Sequence, residues 1–285
     1  MRAVAEAADA GIVVPILIGP AARMTNAAKD AGVDIAAFRV IDVPHSHAAA
    51  AEAVARVRAG EAALLMKGSL HTDELMGAVV SSDTGLRTER RISHAYVMDV
   101  PGYPRPLIIT DAAINIEPTL EDKADIARNA IDLAHVIRIE QPRVAILAAV
   151  ETVNPKMRTT LDAAALCKMA DRGQIEGALL DGPLALDNAI SEAAVREKSI
   201  VSPVAGQADI LLVPDLEAGN MLAKQLTFLG GADAAGVVLG ARVPIILTSR
   251  ADSVRTRLAS CALAVLLARA ATKAAPGVAG QRRDG

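Results

Sequence analysis

The 285-residue chain has no tryptophan, and its aromatic residues are Phe38, Phe228, Tyr96 and Tyr103. A core with so few rings must be filled by Ala, Val, Leu and Ile, as in parallel sheets covered by helices. The same scarcity speaks against a stacking platform for single-stranded nucleic acid. With 52% hydrophobic residues the chain can still bury a substantial core, and its length suits one large domain or two of ordinary size.

Other shortages narrow the class further. The two cysteines, Cys167 and Cys261, are far apart in helix-like surroundings and read as free thiols of a reducing compartment. The formal net charge is only −3 and no basic stripe stands out, so nucleic acid is not the expected partner. The longest apolar run, Cys261 to Ala268, is too short to span a bilayer, and no signal peptide opens the chain. A cytoplasmic protein is expected. There is no Gly-x-Gly-x-x-Gly after a strand and no Walker A loop. Gly230, Gly231 and Gly236 read as helix C-cap and turn glycines. No Cys or His pair carries zinc spacing. His45 and His47 flank Ser46 in what reads as a solvated turn, with a metal pair as the alternative. His94 and His135 lack partners in sequence.

What is present is an alternation of strand-like and helix-like segments. Strands are expected at Ile12–Gly19, Phe38–Val43, Ala63–Met66, Ser93–Val100, Leu107–Thr110, Val144–Ala149, Ala178–Leu180, Ile210–Val213 and Pro244–Leu247. Helices are expected at Arg2–Ala10, Ala21–Ala31, Ala48–Ala59, from Thr72 to about Val80, Thr119–Ile137, Asp162–Asp171 and Ser253–Lys273, with 274–285 as a frayed tail. The pattern predicts an α/β fold with crossover units and mostly parallel sheets.

Several strands run straight into polar residues. In open α/β sheets such residues gather at the carboxyl ends of strands, where ligands bind. On this reading Asp215, Glu217, Asn220, Lys224, Ser249 and Arg250 point into one crevice. Ser249-Arg250 follows a strand and precedes a helix, a setting that suits an anion at the helix N-terminus with an arginine clamp. The alternatives stay open: Ser249, or Asp252 with Ser253, as a helix cap, and Asp215 to Asn220 as a polar turn and cap. Lys67-Gly68 repeats the layout earlier in the chain, with His71 and Thr72 facing the crevice or forming a solvated turn.

Together these segments resemble the phosphate acetyl/butyryl transferase family. The matches are Leu65-Met-Lys-Gly68, Ser93-His-Ala-Tyr-Val-Met98, Asp111-Ala-Ala-Ile-Asn115, Asp181-Gly-Pro-Leu184, Ser202 to Asp209, Pro214-Asp-Leu-Glu-Ala-Gly-Asn220 and Ser249-Arg250, and they cover roughly residues 12 to 272. The resemblance implies two three-layer α/β/α domains with an interdomain cleft, like isocitrate and isopropylmalate dehydrogenases. Residues 1–91 with 250–285 would form one domain and 92–249 the other. It implies a homodimer that moves a short acyl group, acetyl or butyryl, between coenzyme A and inorganic phosphate. No metal or tightly bound cofactor would take part in the transfer, and coenzyme A would be a substrate.

The resemblance also assigns roles. Ser249 would be an oxyanion or phosphate donor and Arg250 a phosphate clamp. Three departures are visible. The family's thiol-base aspartate corresponds to Thr256, leaving Asp252 as the nearest acid. An arginine usual in the helix after Gly68 is missing, and Lys67 and Arg87 are the cations at hand. The chain also opens inside the usual first helix, which reads as a removed fusion partner, a late start codon or a lost edge strand. Some relatives carry this module behind an enoyl-CoA hydratase-like domain. Two other readings are a decarboxylating dehydrogenase of the same fold, which would need a nicotinamide site and an aspartate-held metal, and a non-catalytic coenzyme A or acyl-phosphate binding module.

Overall fold

A computed structural model describes residues 1–247 and 252–274. The first half of the chain folds into α1 (Arg2–Asp9), β1 (Ile16–Gly19), α2 (Ala21–Ala31), β2 (Arg39–Asp42), α3 (Ser46–Arg58), β3 (Leu65–Met66), α4 (Thr72–Val79), β4 (Ser93–Asp99), β5 (Leu107–Thr110) and α5 (Leu120–Val136). It continues through β6 (Arg143–Leu147), α6 (Arg158–Asp171), β7 (Leu179–Leu184), α7 (Leu186–Ile190), α8 (Glu192–Glu197), β8 (Ile210–Leu212), α9 (Leu216–Phe228), β9 (Asp233–Leu239), β10 (Ile245–Ile246) and α10 (Val254–Ala274).

Local chemistry sets the boundaries. Helix α2 stops because Gly32 adopts the left-handed conformation, φ 66°, which a residue without Cβ takes up at little cost. Helix α5 starts with a reciprocal cap. The Thr119 hydroxyl accepts the Asp122 N–H at 3.2 Å, and the Asp122 carboxylate accepts the Thr119 N–H at 3.0 Å. The expected frayed tail falls largely on residues 275–285, outside the described residues.

The fold is α/β, as the pattern predicts. Eight strands form one sheet in the order β3-β10-β9-β4-β5-β8-β6-β7, with four of its seven pairings parallel. Strands β1 and β2 pair in parallel only with each other. Two points depart from the expectation. Helices α7 and α8 fill a stretch for which no element is expected. Residues Asp233–Leu239, for which no element is expected and in which Gly236 reads as a turn glycine, are a full strand paired residue for residue with β4. Gly236 is therefore a strand glycine. Gly230 and Gly231 do follow the end of α9, and Gly231 has φ 70°.

Helices cover both faces. Aliphatic residues of α5 and α6 pack on one face of β5, β6 and β8, around Ile108, Ile146 and Ile210. The opposite face meets α7 and α9 through Ala189 and Ala223. At the far end, α3 and α4 cover one side of β3 and β10, while α1 and α10 close the other through Ala7, Cys261 and Ala264. The core is made of Ala, Val, Leu and Ile with single Met and Cys residues, as the shortage of rings requires. Among the described residues, no helix is long and apolar enough to cross a membrane.

One packing contact fixes α9. A Cβ on buried Gly219 would lie 2.7 Å from the Asp111 carbonyl oxygen and 2.8 Å from Val213 Cγ2. Gly219→Ala should therefore destabilise by about 1–3 kcal/mol through overpacking. Exposed Gly77, in α4, has nothing near its would-be Cβ. Gly77→Ala should stabilise by about 0.5–1 kcal/mol. Denaturant unfolding of the two variants measures both.

Candidate active site

Strand direction decides which polar residues can meet. Strands β3 and β10 run side by side and parallel, Leu65 beside Ile245 and Met66 beside Ile246. The Lys67 N–H donates to the Ile246 carbonyl at 2.9 Å, so Lys67-Gly68 leaves the sheet beside Leu247. The Lys67 ammonium turns toward the carbonyls of Gly68 and Leu70, at 3.4 and 3.3 Å. Ser249 and Arg250 lie outside the described residues. Asp252, just beyond them, is partly buried. It is Ser253, not Asp252, that caps α10: the Ser253 hydroxyl accepts the Thr256 N–H at 3.0 Å.

His71 and Thr72 open α4 next to the Lys67 loop. The His71 N–H donates to Glu74 Oε2 at 2.9 Å, and the Ser46 hydroxyl donates to Glu74 Oε1 at 2.6 Å. The Ser46 contact, followed by that backbone N–H, holds the Glu74 carboxyl below the usual carboxylate range. His47 pairs with the same carboxylate at 3.1 Å, and His45 Nδ1 accepts the Ala48 N–H at 3.2 Å. His45 thus caps α3, while His47 ties the start of α3 to α4. Arg87 is exposed and bridges Ala241, at the opposite end of the β10 approach from Lys67.

The second polar group leaves the sheet elsewhere. Strand β5 is parallel to β8, whereas β4 and β9 each reverse direction, so β10 runs opposite to β8. The carboxyl ends of β8 and β10 therefore emerge at opposite edges of the sheet. Four strand spacings between them add roughly 19 Å sideways. This corrects the expectation of one crevice fed by both strand ends. Asp215 caps α9, its Oδ1 accepting the Ala218 N–H at 2.8 Å. Asn220 donates to the Ala112 carbonyl at 3.2 Å, tying α9 to the loop after β5. Glu217 and Lys224 are exposed along α9.

Strands β4 and β9 supply residues to which sequence reasoning gave no role. Tyr96 stands directly opposite Gly236. A Cβ at Gly236 would lie 2.9 Å from Tyr96 Cε1 and 3.1 Å from His94 Nε2, so two rings occupy the space of the missing side chain. The rings meet edge-on, centroids 4.4 Å apart. The Gly236 N–H, on the edge where β10 diverges, donates to Ser260 of α10 at 2.9 Å. Burial, and secondarily the charge of Asp252, raises the Tyr96 phenol above its ordinary value. The Asp252 carboxyl is thus near enough to Tyr96 for its charge to be felt there. The rarity of aromatic residues was the signal available for Tyr96, and its motif was already noted.

Neither thiol is poised as a nucleophile. Burial first, with nearby Asp181, pushes Cys167 up to about 12, and burial also raises Cys261. Among the described residues, no group of three His, Cys, Asp or Glu side chains is placed to hold a metal ion.

Comparisons with known proteins agree with the motif pattern. A sequence model of the family described as phosphate acetyl/butaryl transferase matches residues 43–265. The chain is 66% identical over 263 residues to a phosphate acetyltransferase of Rhizobium meliloti, covering 92% of this chain and 83% of that one. It is 43% identical to a phosphate butyryltransferase of Clostridium acetobutylicum, covering 94% and 89%. The crystal structure of a branched-chain phosphotransacylase from Enterococcus faecalis V583 superposes with a TM-score of 0.77 at 30% identity, over 90% of this chain and 99% of that one.

His94 generates a pH prediction. Burial pushes its imidazole down to about 4, and Nδ1 is buried without a partner. The unfolded chain would take up this proton near pH 6.5, so below that pH protonation favours unfolding. Stability should fall as pH drops from about 6.5 to 4, by about 3 kcal/mol at most. Unfolding free energies across that range check this, and His94→Gln should flatten the slope.

Proposed function

This chain belongs to the phosphate acetyl/butaryl transferase family, and we infer that it moves a short acyl group, acetyl first, between coenzyme A and inorganic phosphate. The observation that carries this reading is the 66% identity to a named phosphate acetyltransferase along 92% of the chain. The dehydrogenase and non-catalytic binding alternatives have no comparable support.

On this reading the reaction takes place beside the ends of β3 and β10. A thiol with a pKa near 8.5 must lose its proton before it attacks. Asp252, partly buried beyond β10, accepts it. The sulfur attacks the acyl-phosphate carbon, the carbonyl electron pair moves onto oxygen, and the C–O bond to phosphate then breaks. Ser249 donates to the oxyanion or to the phosphate, and Arg250 and Lys67 balance the departing anion. Gly68, His71 and Thr72, in the loop after β3, line the approach. Holding both substrates together supplies much of the rate. Arg87, Asp215, Glu217, Asn220 and Lys224 leave the fold elsewhere and stay outside this mechanism, Asp215 and Asn220 as fasteners of α9.

The proposal extends to organisation. Coenzyme A is a substrate, no metal or tightly bound cofactor is required, and the enzyme works as a cytoplasmic homodimer. Residues 1–91 with 250–285 form one domain and 92–249 the other. The parallel pairing of β10 with β3, and its single registered pair with β9, favour moving the boundary to just before Ile245.

The test is turnover of acetyl-CoA with phosphate, and of acetyl phosphate with coenzyme A, alongside butyryl substrates. Acyl transfer is expected. Its absence in folded protein with acyl groups from two to five carbons would overturn the reading. Ser249→Ala should lower kcat by roughly one to three orders of magnitude, and Asp252→Asn should lower it most below pH 8, where few thiols ionise unaided. Unchanged turnover would remove either residue from the mechanism.

A further inference from the structure

The chain has two tyrosines, and they are used differently. The Tyr103 hydroxyl donates to the Ala208 carbonyl at 2.5 Å, a closed structural bond. Tyr96 is also partly buried, yet its hydroxyl makes no hydrogen bond among the described residues. Its oxygen is not among the fully buried unpartnered atoms, so this phenol keeps its ring packed and its hydroxyl open to whatever lies beside it.

The surroundings hold this phenol in place. His94 packs edge-on against the ring, and Gly236 leaves the room it occupies. Ser260 pins Gly236 from α10, the helix whose start follows Asp252. The His94 and Gly236 contacts fix the ring rather than the hydroxyl, which therefore remains available to a ligand. Asp252 is close enough for its charge to act on the phenol. Burial, and secondarily the charge of Asp252, keep the O–H protonated, as a hydrogen-bond donor must be.

These observations, taken with the acyl-transfer reading on which they rest, give the hydroxyl a partner. If Asp252 takes the thiol proton, the sulfur lies beside Asp252. The acyl carbon is one bond from that sulfur in the intermediate, and its oxygen one bond further. We propose that Tyr96 is a substrate-contacting residue whose hydroxyl donates a hydrogen bond to the acyl oxygen as it becomes an oxyanion. The phenol keeps its proton throughout. The thiol proton goes to Asp252, the carbonyl pair moves to the oxygen facing Tyr96, and the pair of the broken C–O bond leaves with phosphate. Ser249 is then free to serve the phosphate. His94 and Gly236 act through Tyr96 as positioning residues.

The test is Tyr96→Phe, which keeps the ring against Gly236 and His94 and removes only the hydroxyl. Because the contact strengthens in the transition state, kcat should fall about ten- to a hundredfold in both directions. KM for phosphate and for coenzyme A should change little, and the melting temperature should hold. Gly236→Ala, which drives a methyl against the ring, should give a similar kcat loss. The double variant should be no worse than the single ones, since both act on one contact. If Gly236→Ala fails to fold, Tyr96→Phe still decides. A Tyr96→Phe enzyme with kcat within about twofold of wild type overturns the proposal. So does a defect confined to KM, or one that tracks lost stability. A wild-type enzyme without acyl transfer would instead sink the parent reading, and this inference with it.

Discussion

Seven antiparallel residue pairs between β4 and β9, Ser93 with Leu239 through Asp99 with Asp233, hold this molecule together. Ala95, Val237 and Leu239 feed the core under α5 and α6. Met98 and Ala234 feed the core under α9. Val238 feeds the one under α3 and α4. Because alternate side chains of a strand face opposite ways, a single ladder can serve all three. A break in it would release both halves of the protein at once. The pairing also reverses strand direction across the centre of the sheet, and that reversal separates the Lys67 loop from the Asp215 turn.

The candidate site occupies the place where this ladder loses its outer neighbour. Strand β10 registers with β9 only at Ile245 and Val238. Further along β9, the edge N–H of Gly236 is satisfied by a helix hydroxyl instead of a strand carbonyl. The ladder can then end at this edge without leaving the Gly236 N–H unpaired. Three groups able to hold or move a proton lie near this edge: the His94 imidazole, the Tyr96 phenol and the Asp252 carboxyl. Burial favours the neutral forms of the first two.

Much of this was legible in the chain itself. Thr119 with Asp122, and Gly32 after Ala31, announced helix ends because their chemistry is local. Continuous aliphatic runs such as Leu107–Thr110 announced buried strands. The residues that carry the family resemblance divide on inspection. Asp111 is buried, and its carboxylate accepts three backbone N–H groups from Ala113, Ile114 and Asn115. Asp209 accepts the Arg143 N–H. These acids brace loops, a role that pattern alone does not distinguish from chemistry. Strand β9 was missed because Gly236 and the flanking alanines carry little strand propensity, and only tertiary pairing with β4 makes them a strand. The single-crevice expectation failed for the same reason. Strand direction is a property of the whole sheet, and no local window contains it.

The shortest strands have a consequence for biosynthesis. Among the described residues β3 has one partner in the sheet, β10, far along the chain. Helix α1 likewise finds its packing surface on α10 and β10, through Ala7, Ile246, Cys261 and Ala264. As the polypeptide leaves the ribosome, α1 and β3 must therefore wait, with apolar faces uncovered, until β10 and α10 are made. Such a high contact order slows acquisition of the native state and lengthens the interval in which nascent chains need shielding from one another.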